Sequence, residues 1–217
     1  LNHYSLEQHL FIAIALGLLF RIFASFFVYT PMALDDLGHY WLPAIRMADG
    51  LPMNLPEYRA PLLPYILWIF IKTADVLGLG SDPINRIYSM NLGLGLFSLL
   101  GIVGAYYYCK GAIKQNNKYF SVLLYFFSIY AVMPYISTRA GGEFFCISLL
   151  MLGIGLLKYE KTFLGLFFIG IAVLFRYQLG IIYIFYGLYG FKRKTIINAL
   201  IIGLILLTIE SLVDLSY

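Results

Sequence analysis

Leu10–Tyr29, with the sequence LFIAIALGLLFRIFASFFVY, is the stretch that decides the fold. A helix needs roughly 20 apolar residues to cross the hydrocarbon core of a bilayer, and this run has that length with Arg21 as its one charge. The rest of the chain is similar, because 61% of its 217 residues are hydrophobic, 12% are charged and the mean hydropathy is +0.83. The sequence therefore predicts an integral membrane protein. The run has no basic segment before it, so we expect a retained span, and a start at Leu1 favours a piece of a longer chain.

Later hydrophobic runs and basic connectors predict the topology. The runs are Pro61–Leu79, Ile84–Tyr108, Tyr119–Ile136, Gly142–Leu157, Phe163–Phe175, Tyr177–Phe191 and Thr195–Val213. Three connectors are basic and are placed on the cytoplasmic side by the positive-inside rule: Lys110/Lys114/Lys118, Lys158/Lys161 and Lys192/Arg193/Lys194. Both ends of Pro61–Leu79 then lie outside, so we expect a helix in the outer leaflet with Lys72 and Asp75 facing water. The alternative is an ordinary span that breaks the charge rule once.

These patterns predict an all-α, polytopic membrane helix bundle with about seven spans and juxtamembrane helices in the first outer loop. Residues 1–217 form one module, and residues 31–83 form that loop. The net charge of +4 is spread over short segments, which argues against nucleic acid as a partner. Cys109 and Cys146 lack metal-ligand spacing and are expected to be packing residues. Glycines in two of the later runs are expected to allow close helix packing: Gly93, Gly95, Gly101, Gly104, Gly165 and Gly170.

An acidic pair, Asp35-Asp36, follows the first span. If the segment is helical, Asp35, His39 and Arg46 lie near one face, with Tyr40 and Trp41 at the membrane interface. In one interpretation, one carboxylate removes a proton from an attacking hydroxyl, and the other orients it or binds a divalent cation together with His39. In the other, the pair is a solvated turn that caps a helix. The pattern alone favours neither.

Arginines on the predicted outer side form a second candidate group. Arg139 and Glu143 are four residues apart and, taken alone, predict an exposed helical ion pair. Arg59, Arg139 and Arg176 together suggest a phosphate site, because guanidinium groups bind phosphate well. Arg176 separates two short runs, so its end of the bundle is expected below the membrane surface, and snorkelling of Arg176 to the headgroups is the alternative. Arg21 is expected either to have a function within the membrane or to pair with Glu210.

Several short motifs resemble those of the GT-C glycosyltransferases. They are the acidic pair after the first span, Tyr58-Arg59-Ala60-Pro61-Leu62-Leu63-Pro64, Thr138-Arg139, and Phe175-Arg176-Tyr177-Gln178. The chain is most similar to mannosyltransferases that use polyprenyl- or dolichyl-phosphate-mannose in the assembly of GPI anchors and lipid-linked oligosaccharides. In that family an acidic motif in the first outer loop carries the catalytic Asp. Leu34-Asp35-Asp36 stands in its place and leaves the choice between Asp35 and Asp36 open.

The resemblance implies inverting transfer of a sugar from a lipid-phosphate donor to a hydroxyl of a glycan or glycolipid acceptor. Asp35 and Asp36 are the catalytic candidates, and no cofactor beyond the divalent cation considered above is expected. The candidate substrate-binding residues are His39, Arg46, Arg59, Arg139, Glu143, Arg176 and Gln178. The active face is then periplasmic, extracellular or luminal. The alternative is a non-enzymatic protein, either a transporter or flippase of lipid-linked sugars or a packing subunit of a membrane complex.

Overall fold

The structure is a computed structural model that describes residues 5–27, 37–54, 62–80, 82–112, 120–130, 134, 137–138, 142–188 and 192–215. Most of these residues are helical, and no strand occurs among them. The helices are α1 (Leu6–Phe27), α2 (Leu42–Ala48), α3 (Leu62–Val76), α4 (Pro83–Ser98), α5 (Leu100–Ala112), α6 (Phe120–Ile129), α7 (Gly142–Lys158), α8 (Thr162–Phe175), α9 (Gly180–Leu188) and α10 (Arg193–Leu215). A π-helical turn, Leu37–Trp41, precedes α2, and a 3₁₀ turn, Tyr177–Leu179, joins α8 to α9.

Three segments within these ranges are long and apolar enough to cross a membrane: Leu6–Phe27, Pro83–Ala112 and Arg193–Leu212. This supports the predicted membrane association. The second segment combines α4 and α5, whose junction at Leu99 stays helical. Phe145–Lys158, Thr162–Phe175 and Tyr177–Leu188 are apolar but shorter than a full span.

The first helix begins four residues before the hydrophobic run because a capping box starts it. The Ser5 N–H donates to Gln8 Oε1 (2.7 Å), and the Gln8 N–H donates to Ser5 Oγ (3.3 Å). This reciprocal pair satisfies two backbone donors that a helix start otherwise leaves without partners. The extra turn carries Glu7 to the vicinity of Lys110 (3.8 Å between Oε1 and Nζ) at the far end of α5.

Contacts along the helices fix the directions of the bundle. Glu7 lies near Lys110, whereas Arg21 bonds to Ser98, so α1 is antiparallel to α4 and α5. α5 packs on α7, α7 on α8, and α8 on α10. Lys110, Lys158 and Arg193 consequently lie at one end, here called the basic end. The turn Leu37–Trp41, α2 and α3 lie at the opposite end, here called the loop end.

Close packing of α5 on α7 depends on glycine. A Cβ on Gly104 would lie 2.4 Å from the backbone nitrogen of Leu152, and one on Gly155 would lie 2.0 Å from the carbonyl oxygen of Gly104. Real Cβ atoms do not approach backbone this closely, so the two helices touch through their main chains. The prediction of glycine-dependent helix packing is confirmed at Gly104.

Two short helices at the loop end, α2 and α3, are closed by glycine turns, and α3 lies within the predicted run Pro61–Leu79. α3 covers Leu62–Val76 and is followed by Gly78 (φ +76°), with the Leu79 N–H bonded to the Ala74 carbonyl (2.9 Å). Gly50 (φ +76°) follows α2 in the same way, with the Leu51 N–H bonded to the Arg46 carbonyl (2.9 Å). Glycine adopts this left-handed conformation without the penalty that a Cβ brings. Each glycine therefore turns the chain sharply and keeps the loop end compact.

The fourth predicted run, Tyr119–Ile136, is not one continuous helix, because Tyr130 is not helical. α6 ends at Ile129. Pro134 lies beyond it, and a proline ring clashes with the carbonyl four residues earlier, which opposes continuation of the helix through Tyr130. The Arg21 guanidinium caps this end of α6, because it donates hydrogen bonds to two of the last carbonyls of the helix.

Candidate functional site

Five of the nine predicted site residues lie outside the part of the chain that the structure describes. They are Asp35, Asp36, Arg59, Arg139 and the side chain of Glu143. The predicted base, the phosphate pair of Arg139 with Arg176, and the Arg139–Glu143 ion pair stay predictions for this reason. His39, Arg46, Arg176 and Gln178 are described, and all four lie at the loop end.

The segment with His39 and Arg46 is not one regular α-helix. The turn around His39 is π-helical, and Pro43 sits in the first turn of α2. Proline has no N–H for the His39 carbonyl and its ring clashes there, so the chain widens before it. A wider turn shifts the helical positions of the residues that follow it. The 3.6-residue spacing that predicted Arg46 on one face with His39 therefore does not apply. Its Nε donates to the Pro52 carbonyl (3.0 Å) and holds the chain that follows α2.

Tyr40 and Trp41 are buried, so their predicted place at the membrane interface is wrong. Tyr40 is 6% exposed and Trp41 is 1% exposed. The π-helical turn directs them toward a core that also contains Leu63 of α3 and Phe175 of α8. The Trp41 indole N–H is buried and meets no acceptor in the described part of the chain. Such groups normally have a partner, so the indole nitrogen of Trp41 marks a buried polar position at the loop end.

The junction between α8 and α9 carries Arg176 and Gln178. Arg176 follows α8 in an extended conformation (φ −150°, ψ 98°), and its backbone N–H bonds to the carbonyls of Ala172 (3.1 Å) and Val173 (3.0 Å). Its side chain is half-buried, and Gln178 is exposed. The Tyr177 hydroxyl donates to Glu210 near the end of α10. This bond ties the junction to the last helix.

One buried cluster connects the two parts of the candidate site. Tyr40 and Trp41, next to His39, share it with Phe175, next to Arg176. Phe175 also packs on Phe145 of α7, with ring centroids 4.5 Å apart. Residues that are far apart in sequence, His39 and Arg176, therefore flank the same cluster at the same end of the bundle.

A network of four charged side chains holds the loop end together, and the sequence did not predict it. Arg86 Nη1 lies 2.7 Å from Asp49 Oδ1, and Arg86 Nε lies 3.0 Å from the Gly80 carbonyl and 3.5 Å from Asp75 Oδ1. Lys72 Nζ lies 3.6 Å from Asp75 Oδ2 and 2.7 Å from the Ala48 carbonyl. The two cations and two carboxylates join α2, α3 and α4.

The sequence predicted that Lys72 and Asp75 face water. Both side chains also take part in this network. Their side chains are 43% and 24% exposed, and both contact neighbouring elements. A sequence signal existed in part. Asp82 before Pro83 is a typical helix start, and its side chain accepts a hydrogen bond from the Ile84 N–H (2.9 Å). This cap sets the first residue of α4 and therefore the position of Arg86 in its first turn.

Arg21 is buried inside the bundle and bonds to three helices. It is 2% exposed, and its guanidinium donates to Ser98 Oγ (2.5 Å) and to the carbonyls of Gly17 (3.1 Å), Phe127 (2.9 Å) and Ser128 (3.3 Å). Its predicted pairing with Glu210 does not form. The last carbonyls of α6 carry the negative end of that helix's dipole and partly compensate the charge. Arg21 therefore connects helices through these hydrogen bonds and not through the predicted pair with Glu210, and a function for it within the membrane stays a prediction.

An open groove of about 540 Å³ lies between α1, α3 and α4 at the loop end. Its wall is apolar along most of its length, with Phe26, Phe70 and Leu96 among the lining residues. Thr73, Asn85, Tyr88 and Ser89 supply the polar groups, toward the start of α4. The groove therefore has a polar rim and an apolar interior.

The structure describes only one of the three predicted metal ligands, His39. Among the described residues, no group of three or more His, Cys, Asp or Glu side chains is placed to hold an ion. Asp35 and Asp36, two of the three predicted ligands, lie outside that range.

No known protein family, curated protein or solved structure matches this chain. The functional argument therefore depends on the residues and their arrangement.

Proposed function

We propose that this chain is a membrane glycosyltransferase of the GT-C type. It transfers a sugar, mannose in our proposal, from a polyprenyl-phosphate donor to an acceptor hydroxyl on the outer or luminal side. The acceptor oxygen attacks the anomeric carbon while the bond from that carbon to the phosphate oxygen breaks. Asp35 or Asp36 takes the hydroxyl proton, and polyprenyl phosphate leaves with the bonding electron pair. Attack opposite the leaving group inverts the anomeric configuration.

The observation that supports this proposal most is the shared cluster under His39 and Arg176. It brings the segment that follows Asp36 onto the α8–α9 junction, where a guanidinium near a leaving phosphate would stabilise its charge. A base on one element and a cation on another is the arrangement that such a displacement needs. Both elements lie at the end opposite Lys110 and Lys158.

A polytopic arrangement with about seven spans is part of the proposal. α7, α8 and α9 are apolar but shorter than a full crossing, since 14 residues of α8 reach about 21 Å at 1.5 Å each. The hydrocarbon core is about 30 Å thick. A short crossing lowers its outer end into the leaflet, where the phosphate of a polyprenyl donor lies.

Transfer by the reconstituted full chain tests the proposal. Donor labelled in the sugar is mixed with a glycolipid extract, and labelled product is measured for Asp35→Asn and Asp36→Asn. Loss of a general base costs about 10²- to 10⁴-fold in rate, and we expect this loss in one of the two variants. Asp82→Asn is the matched control, because asparagine caps a helix as well as aspartate does, and its rate should not change. Near-normal transfer by both test variants would refute the mechanism.

A further inference from the structure

The groove between α1, α3 and α4 has the dimensions of a site for one lipid chain. Its lining residues on α4 extend from Asn85 at the polar rim to Phe97 at the apolar end. At 1.5 Å per residue this stretch is about 18 Å long, more than half of the roughly 30 Å hydrocarbon core. The groove follows a membrane-length segment, so the molecules that reach it from the side are lipids.

The charges around the rim argue against an anionic head group. Among the described residues, Lys72 and Arg86 are the cations on α3 and α4, and the carboxylates of Asp49 and Asp75 engage both. Asp82, at the start of α4, adds a further negative charge. A phosphate at this rim would find no uncompensated cation in the described part of the chain, and Asp82 would repel it.

Two polar groups at the rim keep unused hydrogen-bonding capacity. The hydroxyls of Thr73 and Ser89 donate to carbonyls of their own helices, those of Ile69 and Arg86. The Asn85 amide and the Tyr88 hydroxyl make no hydrogen bond with any described residue. An amide offers two donors and one acceptor, and a phenol offers one of each, which suits alcohol groups.

We propose that this groove binds a membrane lipid whose uncharged head group carries hydroxyls. One hydrocarbon chain lies against Phe70, Leu92 and Leu96, and the head-group hydroxyls bond to Asn85 and Tyr88. Burial of the chain drives binding, and the rim selects the head group. The site is independent of the proposed sugar transfer, because it needs none of the residues assigned to that reaction.

Photocrosslinking of the full chain in nanodiscs tests this site. The probe is dioleoylglycerol with a diazirine in one acyl chain, and labelled peptides are identified by mass spectrometry. We expect labelling at α3 and α4. Unlabelled dioleoylglycerol should compete at a concentration about tenfold lower than dioleoyl phosphatidate with the same chains, a difference that one or two selective hydrogen bonds supply.

Thr73→Trp should block the groove, because Thr73 is exposed on α3 and lines it. We expect labelling of α3 and α4 to fall about tenfold. Thr208→Trp is the matched control, since Thr208 makes the same bond to the carbonyl four residues earlier but lies on an exposed face of α10. Leu96→Trp, at a position 46% exposed, is a second blocking variant, and thermal unfolding followed by circular dichroism shows which variants fold.

Asn85→Leu and Tyr88→Phe should each weaken competition by dioleoylglycerol about three- to tenfold and leave competition by phosphatidate unchanged. Equal competition by both lipids, or better competition by phosphatidate, would overturn the proposed head-group chemistry. Labelling that persists in both folded blocking variants would overturn the site itself, because it would come from lipids that merely surround the protein.

Discussion

Replacement of Arg21 by methionine should destabilise the bundle, although it removes a buried charge. In the wild type, the guanidinium makes four hydrogen bonds to groups on α1, α4 and α6. Bonds with a charged partner contribute about 1.5–3 kcal/mol each, so four at the lower limit give about 6 kcal/mol. A guanidinium at the centre of a membrane helix costs about 2.5–3.5 kcal/mol on insertion scales. The difference favours arginine by about 3 kcal/mol.

Methionine also leaves the carbonyls of Phe127 and Ser128 without their donor in the last turn of α6. We therefore expect Arg21→Met to lower the free energy of unfolding by about 2–4 kcal/mol. Titration with a denaturing detergent in mixed micelles, followed by circular dichroism, measures the change. Arg46→Met is the matched control, because Arg46 makes one bond to Pro52 at a partly exposed position and its loss should cost less than about 0.5 kcal/mol.

A double-mutant cycle of Arg21 and Ser98 separates the contribution of their hydrogen bond to stability from that of packing. Ser98→Ala removes the acceptor of Arg21 Nε, and we expect it to cost about 1 kcal/mol. The double variant should cost less than the sum of the two single variants. If Arg21→Met left stability unchanged or raised it, the cost of burying the charge would outweigh the bonds, as it does for many buried ion pairs, and our reasoning would be refuted.

Three further predictions concern topology, donor binding and helix packing. A cysteine at Ser81 should react with an impermeant maleimide from the side opposite Lys110; reaction from the Lys110 side alone would contradict the predicted placement of α3 at the outer surface. Arg139→Gln and Arg176→Gln should each weaken binding of a polyprenyl-phosphate donor about tenfold to a hundredfold, with partial rescue by lysine, and unchanged binding in both would remove the shared phosphate site. Gly104→Val should cost about 3 kcal/mol or more, because its Cβ would meet the α7 backbone at 2.4 Å, whereas Gly203→Val, with open space around it, should cost less than about 1 kcal/mol; similar costs would disprove backbone contact between α5 and α7.

The sequence predicted the position of a helix where charged residues flank an apolar run on both sides. The predicted run Phe163–Phe175 becomes a helix over Thr162–Phe175, because Lys161 and Arg176 flank it. The start of α1 was missed although Ser5 and Gln8 form a recognisable capping box. Both results depend on neighbours within a few residues, which a sequence displays directly.

Partners that are distant in sequence were not predictable in this way. Arg86 bonds to Asp49 across 37 positions, and the periodicity of neither helix encodes that pairing. The burial of Trp41 likewise depends on a π-helical turn that aims it at the core. Pro43 was a signal that the helix would be irregular, but the direction of the distortion follows only from the packed structure.

The charges at the loop end together indicate where an anionic donor can bind. Lys72 and Arg86 are neutralised by carboxylates beside the groove, and Arg21 is enclosed by carbonyls inside the bundle. α3 contributes to the groove and to the cluster with Phe175, because Phe70 lines the groove and also packs against that cluster. The groove and the junction that carries Arg176 are therefore linked through α3, but the cations beside the groove are paired with carboxylates. If the chain transfers sugars from a lipid phosphate, the phosphate belongs on the Arg176 side, and the groove takes a different lipid.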